Sequence, residues 1–453
     1  MKIRMAGLFG LLTVLVIAAM IDPIAAFSTL VVGMAVSDIE TLLKEQYIDE
    51  LPETFTKGTA LCNELMKAPN IEANTRAVVF NLEVAPGGDF KGIDFDGGAY
   101  PLGNSMVTKK PTVSSIGVTL GFNVTSLMEF ATKNNKLAVA NVMDKTMADV
   151  QENMKLWLDC LLNAETNDGV LDMYSDIASA PTYVLNSADS PYGGYLLIPG
   201  GRYDIYDSTL VTERIGGPYR IDPDGGLNLT KSPPEVTFTS VITGDVNEDR
   251  IVAQDLVNAS INPIWYHLSG SQSGTWQSLS RAKIYTRAQR VDGGSQKLDG
   301  PLLRSLLTQI LKFSGDPRAT QNLRPYFPYE QYRNYENAAQ DISTIMIGGS
   351  SPNAVNKSYD LLLGEAKVEG RSLILSNHAD PTKVGFFNVS KFRWIVTRKL
   401  GLEPNENGGK LHRIYDTTLG TPKASHSIYM NYMCNLGCVD PTQMGVIDTL
   451  ALP

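Results

Sequence analysis

Residues 116–124, Ile116-Gly117-Val118-Thr119-Leu120-Gly121-Phe122-Asn123-Val124, alternate apolar with small or polar side chains, and just beyond them the period changes. Alternation puts Ile116, Val118, Leu120, Phe122 and Val124 on one face of a β-strand. Downstream, Met143, Met147, Val150, Met154, Leu158 and Leu161 recur at steps of three and four, the stripe of a helix. Neither Pro nor Gly interrupts residues 126–164. As one helix they would span roughly 58 Å at 1.5 Å per residue. The polar run Lys133-Asn134-Asn135-Lys136 is its weakest part and the expected place for a kink. The methionine stripe reads as core packing, because Met fills irregular gaps between elements.

Upstream, Val78, Phe80, Leu82 and Val84 alternate in the same way. Residues 86–111 between the two runs hold turn formers, Gly87-Gly88 and Asp94-Phe95-Asp96-Gly97-Gly98 among them. The expectation is one extended hairpin over 76–124. Two strands alone are marginal in water, so this hairpin needs another surface, such as that of a neighbouring subunit. Before it, Ser37 and Glu40 form a capping box opening a helix with Ile39, Leu42 and Leu43 in register, within an arm over 34–75. Residues 1–33 carry Lys2 and Arg4, an apolar run to Ile21, the break Asp22-Pro23, and Ala25-Ala26. They read as a signal-like segment, or as an extension ahead of a start at Met34.

Residues 125–179, the helix and what directly follows it, lead into a change of texture. Over 180–263 short apolar runs are divided by Pro199-Gly200-Gly201, Gly216-Gly217-Pro218 and Asp222-Pro223-Asp224-Gly225-Gly226, the pattern of an all-β insertion. Helices return over 301–313, with Asp299 as N-cap and Leu302, Leu303, Leu306, Leu307 and Ile310 as the apolar face, and over 329–346. Strands close the chain at 392–396 and 428–436, within a last region of 264–453. The fold class is α+β.

The whole chain has 453 residues, a soft prior of three domains at about 150 residues each. Its 39 Lys and Arg against 48 Asp and Glu, net −9, argue against a chain whose overall charge grips nucleic acid. Four cysteines in this length make no disulfide framework. Cys434 and Cys438, with His426 upstream, lack the paired spacing of a zinc site. Asp245, Asn247 and Asp249 open like a calcium loop, but Arg250 stands where the turn needs Gly and Leu256 where the bidentate Glu belongs. Asn356-Lys357-Ser358 lacks a phosphate loop's Gly. Arg281, Arg287 and Arg290 give one local concentration of positive charge, read as a solvated or intersubunit face. No catalytic, cofactor-binding or metal-ligating residue is assigned and no cofactor is expected; the chain is not read as an enzyme.

The order of elements, arm, long hairpin, very long helix, then mixed α/β with a β-rich insertion, resembles the tailed-bacteriophage major capsid protein family, whose fold the encapsulins share. Gly200-Gly201-Arg202-Tyr203-Asp204-Ile205-Tyr206 and Trp265-Tyr266-His267-Leu268 look like segments in and after such insertions. The resemblance implies a structural subunit that assembles into pentamers and hexamers of an icosahedral shell around double-stranded DNA. Residues 76–124 would be its E-loop, 125–179 the spine helix and part of the peripheral domain, and 264–453 the axial domain with the peripheral domain's return strands. It further implies a separate scaffolding protein, a portal and a decoration protein as partners, DNA contacted non-specifically, no membrane, and a place in the virion after assembly in the host cytoplasm. Lys91, Lys109 and Lys110 lie in the hairpin, but nothing in their spacing assigns them crosslinking chemistry. A mildly acidic subunit suits a container through which DNA must slide. The competing readings are an encapsulin-like compartment and a secreted or surface β-rich binding protein.

Overall fold

Thr112–Ser114, not the long alternating strand, is the return arm at the root of the hairpin. The computed structural model describes residues 58–346 except 74, 93–95, 97–98, 101, 126–141, 186–192, 232 and 315–319. It further describes 367–368 and 371–452 except 405–411 and 416–421. The expected arm helix, the segment 1–33 and the Lys133–Lys136 kink lie outside the described residues. The chain forms two compact units, one of 1–56, 119–153 and 401–431, the other of 57–118, 154–400 and 432–453.

The second unit opens with helix α1 (Ala60–Leu65) and strand β1 (Asn70–Glu72). The hairpin follows as β2 (Ala77–Val79), β3 (Leu82–Ala85), β4 (Val107–Lys109) and β5 (Thr112–Ser114). β2 pairs antiparallel with β5, Val78 opposite Val113, and β3 with β4, Leu82 opposite Lys109. β6 (Ile116–Thr125) is the strand that the alternation predicts, yet it pairs with a strand near the C-terminus rather than with the first arm. This corrects the expected hairpin of 76–124: its paired arms lie within 77–114. Period-two patterning fixes which side chains share a face, but leaves the partner strand open.

Helix α2 (Val142–Asn163) ends one residue before the expected stop. Within the second unit it buries Met154, Leu158 and Leu161 of the predicted stripe. Next come β7 (Val170–Met173), β8 (Asp176–Ser179), β9 (Thr182–Val184), β10 (Arg202–Tyr206), β11 (Tyr219–Arg220), β12 (Leu227–Asn228), β13 (Glu235–Thr237) and β14 (Arg250–Ala253). They form two four-stranded sheets, β11-β10-β14-β7 and β12-β13-β9-β8. Tyr174, Tyr183, Tyr203, Tyr219 and Phe238 are fully buried here. Strands before residue 180 therefore share these sheets. The apolar run 195–198 is a turn, where Gly194, at φ +88°, lies so close to Leu185 and Leu229 that a Cβ would meet them at 2.7 and 2.8 Å.

The rest of the unit returns through α3 (Ile264–Leu268), β15 (Thr275–Trp276), β16 (Leu279–Ser280) and β17 (Gln289–Asp292). Helix α4 (Gly300–Ser314) is capped as expected, Leu302 N–H donating to Asp299 Oδ1 at 2.9 Å. β18 (Arg324–Pro328) leads into α5 (Tyr329–Met346), then β19 (Lys367–Val368), β20 (Arg371–Ser372), β21 (Ile374–Ser376) and β22 (Val384–Phe387). β23 (Phe392–Leu402), β24 (His412–Tyr415), β25 (Pro422–Cys438) and β26 (Gly445–Asp448) complete the chain. A sheet β17-β26-β22-β18-β21 carries Val291, Phe327, Val384, Phe386 and Ile447 in one core with Leu303, Leu306 and Ile310 of α4. The class is α+β.

Among the described residues of the first unit, β24 pairs antiparallel with β25, His412 opposite Ser427. Asn123 of β6 accepts from Ser427 Oγ at 2.7 Å, and Gly121 leaves room for the Tyr429 ring, 3.0 Å from where a Cβ would stand. No described helix is long and apolar enough to cross a membrane.

Candidate functional site

The hairpin is fixed at its root and bare at its tip. Phe80, Val113, Ala73 and Ile395 form a small buried cluster with Val78 and Ile71 packed on it. Gly437 of β25 is needed there, because a Cβ would meet the Phe80 ring at 2.9 Å. Backbone groups at the root are paired one by one. Phe80 N–H donates to Pro111 O at 2.9 Å, Thr112 N–H to Gln277 O at 2.9 Å, and Ser115 N–H to Arg76 O at 2.7 Å. Asn435 Nδ2 donates to Ser114 O at 2.5 Å, and the hydroxyls of Ser115 and Thr397 lie 2.6 Å apart. Burying these groups unpaired would cost about 1–3 kcal/mol each, so the root holds one register.

Past β3 and β4 the support ends. Gly88 N–H still reaches Asn104 O at 2.8 Å and Lys91 Nζ reaches Ala99 O at 3.3 Å. The side chains, however, face solvent: Phe90 is 100% exposed, Tyr100 and Leu102 86% each, and Met106 is exposed as well, as are Val79 on β2 and Val107 on β4 along the stalk. An exposed set of large apolar groups on a fixed stalk marks a surface that another molecule covers. Burying a side chain of this size is worth about 1.5–3 kcal/mol. The turn composition of residues 86–111 marks the tip but does not by itself single out Phe90, Tyr100 and Leu102. Their signal was large apolar types inside a turn-rich stretch. Lys91, Lys109 and Lys110 are all exposed on this hairpin.

Several buried ionisable groups elsewhere are held in internal contacts. Asp159 of α2 accepts from Cys62 N–H at 2.7 Å, lies 2.8 Å from His378 Nδ1, and accepts from Asn163 Nδ2 at 3.1 Å. Burial, then the nearby Asp159 charge, pushes the Cys62 thiol up to about 12, and the same causes hold Cys160 protonated. Thiols so held are poor nucleophiles, so this buried network joins α1, α2 and the segment after β21 without offering chemistry. Asp249 of the calcium-like run is buried and takes both Arg214 Nη2 at 2.6 Å and Nε at 2.8 Å, with Tyr174 Oη at 2.7 Å. Its carboxylate is spent on Arg214. Cys434 and Cys438 are buried on β25, and burial raises both thiols. Among the described residues no three His, Cys, Asp or Glu side chains gather as metal ligands.

Of the three arginines at 281–290, Arg281 is buried, Arg287 is half-buried and Arg290 is exposed. Arg281 donates to Thr275 O at 3.2 Å and Tyr266 O at 2.5 Å with its guanidinium 4.7 Å over the Tyr266 ring. Arg290 pairs with Asp448 at 2.6 Å. Arg281 thus braces a loop, and Arg290 ties β17 to β26 while its side chain stays half in solvent.

No family model matches the sequence, and no curated protein matches it either. Solved structures do. The chain in the cyanophage A-1(L) capsid asymmetric unit aligns over 90% of this chain and 98% of its own length, at TM-score 0.53 and 13% identity. At that identity the likeness is one of fold. The capsid of a native GTA particle aligns at TM-score 0.44 and 7% identity, over 91% of this chain and 96% of that one. A chain of Microbacterium phage Oxtober96 aligns at TM-score 0.44 and 10% identity, over 91% and 98%. The fold is thus that of a cyanophage capsid chain along almost its whole length.

Proposed function

We propose that the chain is a major capsid protein, the structural subunit of an icosahedral shell built from pentamers and hexamers around double-stranded DNA. The observation that carries the reading is the fold shared end to end with a cyanophage capsid chain, 90% of this one and 98% of that one. The hairpin agrees with it physically. A stalk anchored by Phe80 and Val113 that ends in bare Phe90, Tyr100 and Leu102 is completed only by a second molecule. Closed symmetric assemblies supply such a partner to every copy.

Under this reading the hairpin of 77–114 is the E-loop and α2 the C-terminal part of the spine helix. The two sheets between β7 and β14 are the insertion, and the sheet under α4 belongs to the axial and peripheral regions. The role is structural rather than enzymatic. Its partners are other copies of itself, a separate scaffolding protein, a portal and a decoration protein, with packaged DNA touched non-specifically. The protein resides in the virion, after assembly in the host cytoplasm.

Light scattering with negative-stain microscopy on the full chain, expressed with and without the neighbouring scaffolding gene, tests the proposal. Closed shells, or rings of five and six subunits, are the expected result. A well-behaved monomer under both conditions refutes it and returns the chain to the exported β-rich binding protein.

A further inference from the structure

The charge of this chain is not spread along it. Residues 170–255, the span of the two insertion sheets, hold 13 Asp and Glu against 5 Lys and Arg, a net −8 of the chain's −9. At one end of that acidic body stands a set of bare apolar residues. Val211 is 80% exposed and Ile215 78%, and Val241 and Val246 are more than half exposed.

Three tethers bring these positions together. Tyr206 bridges to Glu213, closing the turn that carries Val211, with Asp207 N–H donating to Thr212 O at 3.0 Å. Ile215 bridges to Thr243, which sets it beside the segment holding Val241. Arg214 grips Asp249 through two bonds, and Asp249 accepts from Val246 N–H at 3.0 Å, which seats Val246 on the same end. The surface is therefore built before any partner arrives.

The surroundings select the partner. Glu213 and Glu248 are exposed within the same two segments and Arg214 is neutralised by Asp249; Arg250, half-buried with its Nε on Ser208 O, keeps its charge just past 240–248. Nucleic acid, a polyanion, is repelled here. A second copy meeting this end with its own would bring acid against acid, and like charges across an interface disfavour docking. An apolar centre with an acidic rim complements an apolar centre with a basic rim. We infer that the end of the insertion formed by residues 207–217 and 240–248 is a docking surface for a separate protein that presents apolar side chains ringed by Lys and Arg. This goes beyond the shell reading and does not depend on it.

Three synthetic helical peptides titrated into the full chain test the inference, with hydrogen–deuterium exchange locating the contact. The first carries a Leu stripe flanked by Lys, the second the same stripe flanked by Glu, and the third the Lys flanks with Ser in place of Leu. The first peptide is expected to bind at least about tenfold more tightly than either control, to weaken as salt screens its charges, and to protect 207–217 and 240–248. Ile215→Asp, at an exposed position, is expected to lower that affinity about tenfold or more while leaving the melting temperature unchanged. Equal binding of all three peptides, protection confined to other segments, or parental affinity in Ile215→Asp overturns the inference.

Discussion

Replacing Phe90 and Leu102 together by Ser is the perturbation that bears most directly on assembly. Both side chains are nearly bare in the single chain, Phe90 wholly so and Leu102 at 86% exposure, so almost all of their burial is left for a neighbour to provide. At about 1.5–3 kcal/mol for each buried side chain, the double variant forfeits about 3–6 kcal/mol per tip contact. With about 1.4 kcal/mol per factor of ten, each contact weakens about a hundred- to ten-thousand-fold. The protein concentration at which light scattering first reports large particles should rise by at least about a hundredfold. Because neither residue packs inside the chain, the melting temperature of the unassembled protein should not move, surface changes of this kind falling within about 0.5 kcal/mol. Assembly of the double variant at the parental concentration would refute the argument that the tip is covered by a neighbour. Loss of folding would refute the assignment of these side chains to solvent.

Other expectations follow from the buried polar groups. Asp159→Ala strips acceptors from Cys62 N–H, Asn163 and His378 and should cost about 3–5 kcal/mol in chemical denaturation, whereas Asp159→Asn, which keeps one carbonyl oxygen for Cys62, should cost about half as much; equal losses would contradict the network. Arg214→Met leaves the Asp249 carboxylate buried with only Tyr174 and Val246 as donors, and should lower stability by about 3 kcal/mol with faster exchange in β14 and β10. Trp276 Nε1 donates to His267 Nδ1 at 3.2 Å, so Nε2 carries the proton toward Leu436 O, and burial pulls the pKa of His267 down from 6.5 to about 3. The folded state thus disfavours the charged ring. Its contribution is present above the unfolded value and is lost as pH falls through 6.5 toward 3, by about 4–5 kcal/mol at most. A stability–pH profile as steep in His267→Gln as in the parent across that window would exclude this cause.

How far the sequence could be read varies element by element. Helix α4 was legible to its cap, because Asp299 and the Leu302–Ile310 stripe are local signals within one helix. The strand at 428–436 was equally plain, and Ile428, Met430, Tyr432 and Cys434 are buried on β25. The acidity of the insertion can be counted from the residues alone, and the order of elements already resembled a capsid subunit. Each of these rests on neighbours along the chain, where periodicity and turn chemistry act.

What lies between distant segments was decided only in three dimensions. The alternation at 116–124 named a strand and its apolar face but not its partner. Folding gave it to β25, and handed the hairpin's return to Val107–Lys109 and Thr112–Ser114, strands too short to announce themselves. Asp159 with His378 and Asp249 with Arg214 are pairs that no spacing predicts, since a carboxylate's partner is fixed by packing and desolvation rather than by distance along the chain. The bare residues at the hairpin tip and at the end of the insertion are likewise a tertiary fact. A sequence states that Phe90 and Ile215 are apolar; only the folded chain states that, among the described residues, they stand uncovered.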